Sequence, residues 1–121
     1  MNNDLSKEGG EGVVRSLDRA EVLVSTVEQL RKDLSLSNEE LPQPAVGEEA
    51  FETLRTHVLE ALERWTRTNT LAFSRAVNRV DLTERMVNNA TDRGGLHELA
   101  GVMVIRCLQK VLSRHRYAGR F

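Results

Sequence analysis

The sequence predicts an all-α fold, a small up-and-down helical bundle of three long helices and one short one. Three observations carry this expectation. Apolar residues recur every three or four positions over 13–34. Residues 48–80 contain neither Gly nor Pro and carry a similar stripe. Residues 96–115 are apolar around most of a helical circumference. The sequence has no strand-like alternation, internal repeat or low-complexity tract. At 121 residues it suits one domain with a modest core.

Residues 1–11 mix charges with glycines and are expected to form a disordered tail, which leaves 12–121 as the domain. In the first helix Val13, Leu17, Ala20, Val24, Val27, Leu30 and Leu34 share one face. Residues 35–47 form a connector that lets this helix reverse direction. Pro42, Pro44 and Gly47 keep it irregular, and Ser37 with Glu40 has capping-box spacing.

Glu48, Glu49 and Glu52 put negative charge where the dipole of the second helix favours it. Its stripe (Phe51, Leu54, Val58, Leu62, Trp65, Ala72, Ala76 and Val80) continues past the weak helix formers Thr66, Thr68, Asn69 and Thr70. These four are where a kink or break would fall, but the continuity of the stripe favours a single helix over 48–80. Asp81 with Glu84 has the spacing to start a short helix, and Gly94 with Gly95 ends it. In the last helix only Arg106, Gln109, Lys110 and Ser113 make a polar strip. It should therefore lie at the centre, with Leu99, Met103, Cys107 and Leu108 buried and Arg106 and Lys110 at the surface.

Lys and Arg total 17 against 18 Asp and Glu, so overall charge points to no polyanionic partner. The halves differ, however. Residues 1–60 carry 13 acids against six Lys/Arg, a balance of −7, and residues 61–121 carry five against eleven, a balance of +6. Such a chain neutralises itself on folding, pairs with a copy, or offers its basic end to an anion. The single cysteine, Cys107, rules out an intramolecular disulfide and suits a reducing cytoplasm. The polar, acidic N-terminus does not read as a signal peptide. The most apolar run is interrupted by Arg106 and Lys110, so no membrane span is expected.

No motif identifies a reaction. His97-Glu98 opens like a zinc-protease helix, but Gly101 stands where the second histidine belongs. His57, His97 and His115 lie on different segments, and no Cys or His pair has metal-ligand spacing. Cys107, between Ile105 and Leu108, reads as a small core filler rather than a nucleophile. The Gly-Gly of "DRGGLHE" lacks the Lys of a phosphate loop and reads as a turn. Trp65, on the apolar stripe, reads as a core residue first and an interface anchor second.

The stretches "VNRVDLTERMV" and "ELAGVMVIRCLQKVLSRHRY" resemble short uncharacterised helical proteins found in bacteria. The resemblance covers the C-terminal third and rests on a capped turn followed by an apolar helix with a basic end. It implies a bacterial cytoplasmic origin and assigns neither an activity nor a functional residue.

The reading that follows is a non-enzymatic cytoplasmic protein acting through protein–protein interaction, in the first place with itself. No cofactor, metal, membrane or small-molecule substrate is expected. Val13, Leu17, Val24, Val27, Leu30 and Leu34 fall close to a seven-residue repeat and form the candidate interface of a homodimer. The alternative is a nucleic-acid-associated protein whose phosphate contacts are Arg75, Arg79, Arg106, Lys110, Arg114 and Arg116, with Tyr117 or Phe121 stacking on bases.

Overall fold

A computed structural model describes residues 10–117, with side chains from residue 12 to residue 115. Within that range every regular element is helical. They are α1 (Gly10–Val14), a 3₁₀ turn (Arg15–Asp18), α2 (Ala20–Leu34), α3 (Ala50–Thr68), α4 (Thr70–Arg79) and α5 (Glu84–Tyr117). The expected tail is shortened by α1, which begins at Gly10. The rest of the tail lies outside the described residues, as do the side chains of Arg116 and Tyr117 and all of Phe121.

The expected first helix is broken. Arg19 is extended (φ −97°, ψ 125°), so the 3₁₀ turn and α2 do not share one continuous register. The buried stripe of α2 is Leu23, Val27, Leu30 and Leu34, joined by Val22, Thr26 and Asp33. Ala20 and Val24, expected to face inward, are exposed. Thr26 satisfies its buried hydroxyl by donating to the Val22 carbonyl at 2.8 Å. The helix stops at Ser35, which adopts the left-handed conformation (φ 55°) and donates its N–H back to Arg31.

The connector is more than a surface loop. Ser37 and Glu40 form the full capping box, with both reciprocal bonds made. Leu36 and Leu41 are buried, and the Arg31 guanidinium donates twice to the Leu41 carbonyl.

Where the connector leads decides the topology. Leu17 and Asp18, just before α2, line one crevice with Glu48 and Phe51 at the start of α3. Asp33 and Leu34, at the end of α2, line another cleft with Trp65 and Asn69 at the end of α3. The two helices therefore start at the same end of the molecule, and the connector carries the chain back between them. The 15 residues of α2 rise only about 22 Å. Residues 35–49 cover that distance without full extension. The expectation that the first two long helices alternate in direction is not met.

The stripe of 48–80 folds as two helices rather than one. Asn69 leaves helical geometry (φ −156°, ψ 75°) and caps α4, its Oδ1 accepting from the Ala72 N–H at 3.1 Å. The apolar positions still point inward across the break, because Trp65, Ala76 and Val80 are all buried.

The long α5 is interrupted at Gly94 (φ −161°, ψ 16°) and Gly95 (φ 68°, ψ −146°). A straight helix would hold Glu84 and Lys110 about 40 Å apart. Lys110 nevertheless donates to the Arg79 carbonyl and contacts the Asp81 carboxylate. Residues 84–93 and 96–117 must therefore fold back on each other as a hairpin, with the glycines at its bend. The short helix thus ends where expected, though its cap is Thr83, whose hydroxyl accepts from the Met86 N–H, and not Asp81.

The last helix is the centre of the core. All residues from Leu99 to Ile105 are buried, as are Cys107, Leu108 and Val111. Gly101 lets the Arg55 side chain approach closely, since a Cβ would lie 3.1–3.2 Å from it and would push it aside by a few tenths of an ångström. That side chain crosses the helix at this point, with its guanidinium 5.2 Å above the Phe51 ring. Arg106 and Lys110 are half-buried rather than at the surface. No helix among the described residues is long and apolar enough to cross a membrane.

Candidate functional site

The register of α2 that buries Leu30 and Leu34 also buries Asp33 on its last turn. A carboxylate at such a position needs partners. Its Oδ2 receives Lys110 Nζ at 2.9 Å, Gln29 Nε2 at 3.0 Å and the Cys107 thiol at 3.6 Å. Lys110 also donates to the Arg79 carbonyl at 2.7 Å and lies 3.5 Å from Asp81. One ammonium thus joins the end of α2, the turn after α4 and the last helix. Asp81 holds that turn in the left-handed conformation (φ 66°), which Asp tolerates better than most residues.

The cluster fixes its own protonation. Burial opposes the charge on Lys110, but the hydrogen bond and the negative charge of Asp33 outweigh it and raise the ammonium above its ordinary value. Burial, reinforced by the Asp33 carboxylate, pushes the Cys107 thiol far up. Cys107 is therefore a neutral thiol at physiological pH, with no thiolate for nucleophilic attack.

Next to the cluster lies a cleft of 240 Å³, bounded by Asp33, Trp65, Asn69, Arg75 and Arg79. Trp65 forms a wall and is only 8% exposed. Arg79 donates to the Ser35 hydroxyl at 2.8 Å, so the left-handed end of α2 also positions the rim. A second groove, on the opposite flank of α4, is lined by Phe73, Val77, Leu82 and Val87.

The fold separates the residues expected to act together. Of the candidate interface, Leu17, Val27, Leu30 and Leu34 are buried in the chain's own core, and Val13 packs partly against it. Val24 alone, at 43% exposure, faces outward. The stripe is therefore not a surface, because the break at Arg19 and the central last helix absorb it.

The candidate anion contacts are divided as well. Lys110 is engaged by Asp33, Arg114 donates to Gln29, and Arg106 donates to Gln109. Arg75 and Arg79 are brought together, at the cleft. Asp33 was not among the expected site residues. Its signal was present, since a stripe at 23, 27, 30 and 34 places 26 and 33 on the same face.

His57 lies 3.6 Å from Glu60 on α3, away from the cluster. Among the described residues no group of His, Cys, Asp and Glu could hold a metal ion. No family model matches the chain, and neither a curated protein nor a solved structure matches it.

Proposed function

We propose that this chain is a non-enzymatic cytoplasmic protein that works by pairing with a second copy of itself, antiparallel about a two-fold axis. The observation that supports this reading is the charge segregation carried into the fold. Asp18, Glu48 and Glu49 are exposed around the crevice where α2 and α3 begin, against one exposed cation that lines it, Arg15. Arg67, in the last turn of α3, and Arg85, beyond α4, are exposed toward the other end of α3. The 19 residues of α3 hold these poles about 27 Å apart.

Each pole also carries an exposed aliphatic residue, Val46 (47%) near Glu48 and Leu71 (58%) at the start of α4. An antiparallel pair sets each acidic pole against the partner's basic pole and makes every contact twice. Within the chain, Arg64 with Glu40 and Lys110 with Asp33 join the two halves, which leaves the poles themselves exposed.

Light scattering on the full chain tests this. The expected mass is near twice 13.6 kDa, falling toward 13.6 kDa when Glu48→Lys is combined with Glu49→Lys. Adding Arg67→Glu and Arg85→Glu to that variant should restore the larger mass. A mass of 13.6 kDa at every concentration, indifferent to these reversals, refutes self-association. Binding of random-sequence DNA or RNA that survives physiological salt would favour the nucleic-acid reading instead.

A further inference from the structure

We infer that the cleft between α2, α3 and α4 is a binding site for a small oxyanion, a carboxylate or a phosphate monoester, held by Arg75 and Arg79. This goes beyond self-association, since one chain supplies every residue of the site. Arg75 and Arg79 stand one turn apart on α4 and both line the cleft. Neither has an acidic partner among the described residues, and Arg79 is oriented by its bond to Ser35. Like charges at this spacing repel, and an anion lying between them relieves the repulsion.

The one acid in the cleft does not offset them. Asp33 turns its Oδ2 to Lys110, Gln29 and Cys107, so its charge is compensated from inside the bundle. Guanidiniums match the planar carboxylate and the oxygens of phosphate with paired donors. Asn69 adds a side-chain amide at the rim, its oxygen already committed to the α4 cap. Ala72 and Ala76 form the floor beside the Trp65 wall, and their short side chains on α4 leave the space. At 240 Å³ the cleft is below the range of about 300–1,000 Å³ for drug-sized ligands. It therefore suits a compact anion rather than a nucleotide.

Trp65, the chain's one tryptophan, is a built-in reporter. The full chain is titrated with inorganic phosphate, malonate and a single-stranded oligonucleotide, with sodium chloride at matched ionic strength as reference. The expected result is a saturable change in Trp65 emission with phosphate, with malonate or with both. The stronger of the two identifies the source as phosphorylated or carboxylated. Replacing both arginines (Arg75→Gln, Arg79→Gln) should weaken it by about tenfold or more, with helix content by circular dichroism unchanged. Ala72→Leu, which fills the floor and leaves every charge of the basic pole in place, should abolish it without altering the mass in solution. Arg85→Gln, outside the cleft, should leave it intact. A response no larger than that to chloride overturns the inference. So does a response that survives both arginine replacements, or one given by the oligonucleotide alone.

Discussion

The last helix and α4 make opposite use of similar sequence. Both are amphipathic, and both carry cations one turn apart, Arg106 with Lys110 and Arg75 with Arg79. In the last helix, residues 99–105 are buried without interruption and the cations are drawn inward. Lys110 gains three oxygen partners, whereas the Nε of Arg106 is buried with none among the described residues. In α4, Ala76 is the only fully buried residue of the helix, with Val80 just beyond its end. Its arginines stay exposed, and Leu71 faces water. The difference lies in what surrounds each helix. The last helix is enclosed by the others, so its side chains serve stability. α4 packs beside the ends of α2 and α3 and leaves most of its surface in solvent.

This contrast can be broken by substitution, beginning where the effect is largest. Val27→Glu places a charge at a fully buried position, and the chain should lose its cooperative thermal transition. Leu108→Ala opens a cavity in the last helix and should cost about 2–5 kcal/mol by chemical denaturation. A loss below about 0.5 kcal/mol would make that helix peripheral and the comparison void.

Alkaline stability gives a smaller and sharper effect. Cys107 and Lys110 both have folded pKa values raised above their ordinary 9.0 and 10.5. Below pH 9.0 the stabilisation from both is complete. Above it the unfolded chain releases the thiol proton first, so stability falls, and Lys110 adds to the decline above pH 10.5. Each proton contributes a slope of at most about 1.4 kcal/mol per pH unit. Cys107→Ser should flatten the first stretch and leave the second. Identical pH profiles for the two proteins would remove the thiol from the account. Val24→Glu, the smallest effect, should change stability by less than about 0.5 kcal/mol, because that side chain already faces solvent. Hydrogen exchange then orders the two helices directly. The α4 amides should exchange well before those of residues 99–108, and the reverse order would contradict the packing described.

How much of this was legible in the sequence varies from one element to the next, for physical reasons. The last helix was legible because apolar residues on most of a circumference have one satisfactory environment, the centre. The Ser37–Glu40 box and the Gly94–Gly95 stop were legible because each is a local hydrogen-bonding or dihedral demand. The break at Arg19 was not, and the weak helix formers 66–70 marked where a break near Asn69 could fall without deciding it. Periodicity continues across both, and the extended residue between two helices is chosen by tertiary packing. The same limit hid the site. Arg75 and Arg79 were visible as a pair. Asp33 and Trp65 come to lie beside them only because the connector returns the chain so that α2 and α3 end together.

The bend at Gly95 sets the length of the molecule. Its φ of 68° with ψ of −146° lies in a region open to glycine and nearly closed to other residues, although a Cβ there would touch nothing. Replacing it with alanine would thus penalise the fold-back through the backbone alone and favour one rod over Glu84–Tyr117. Those 34 residues would extend about 50 Å, more than twice the rise of α2. A single methyl group at Gly95 would therefore strain the bend by about 1–3 kcal/mol without meeting any neighbouring atom, which makes this the point where the fold-back is most exposed to substitution.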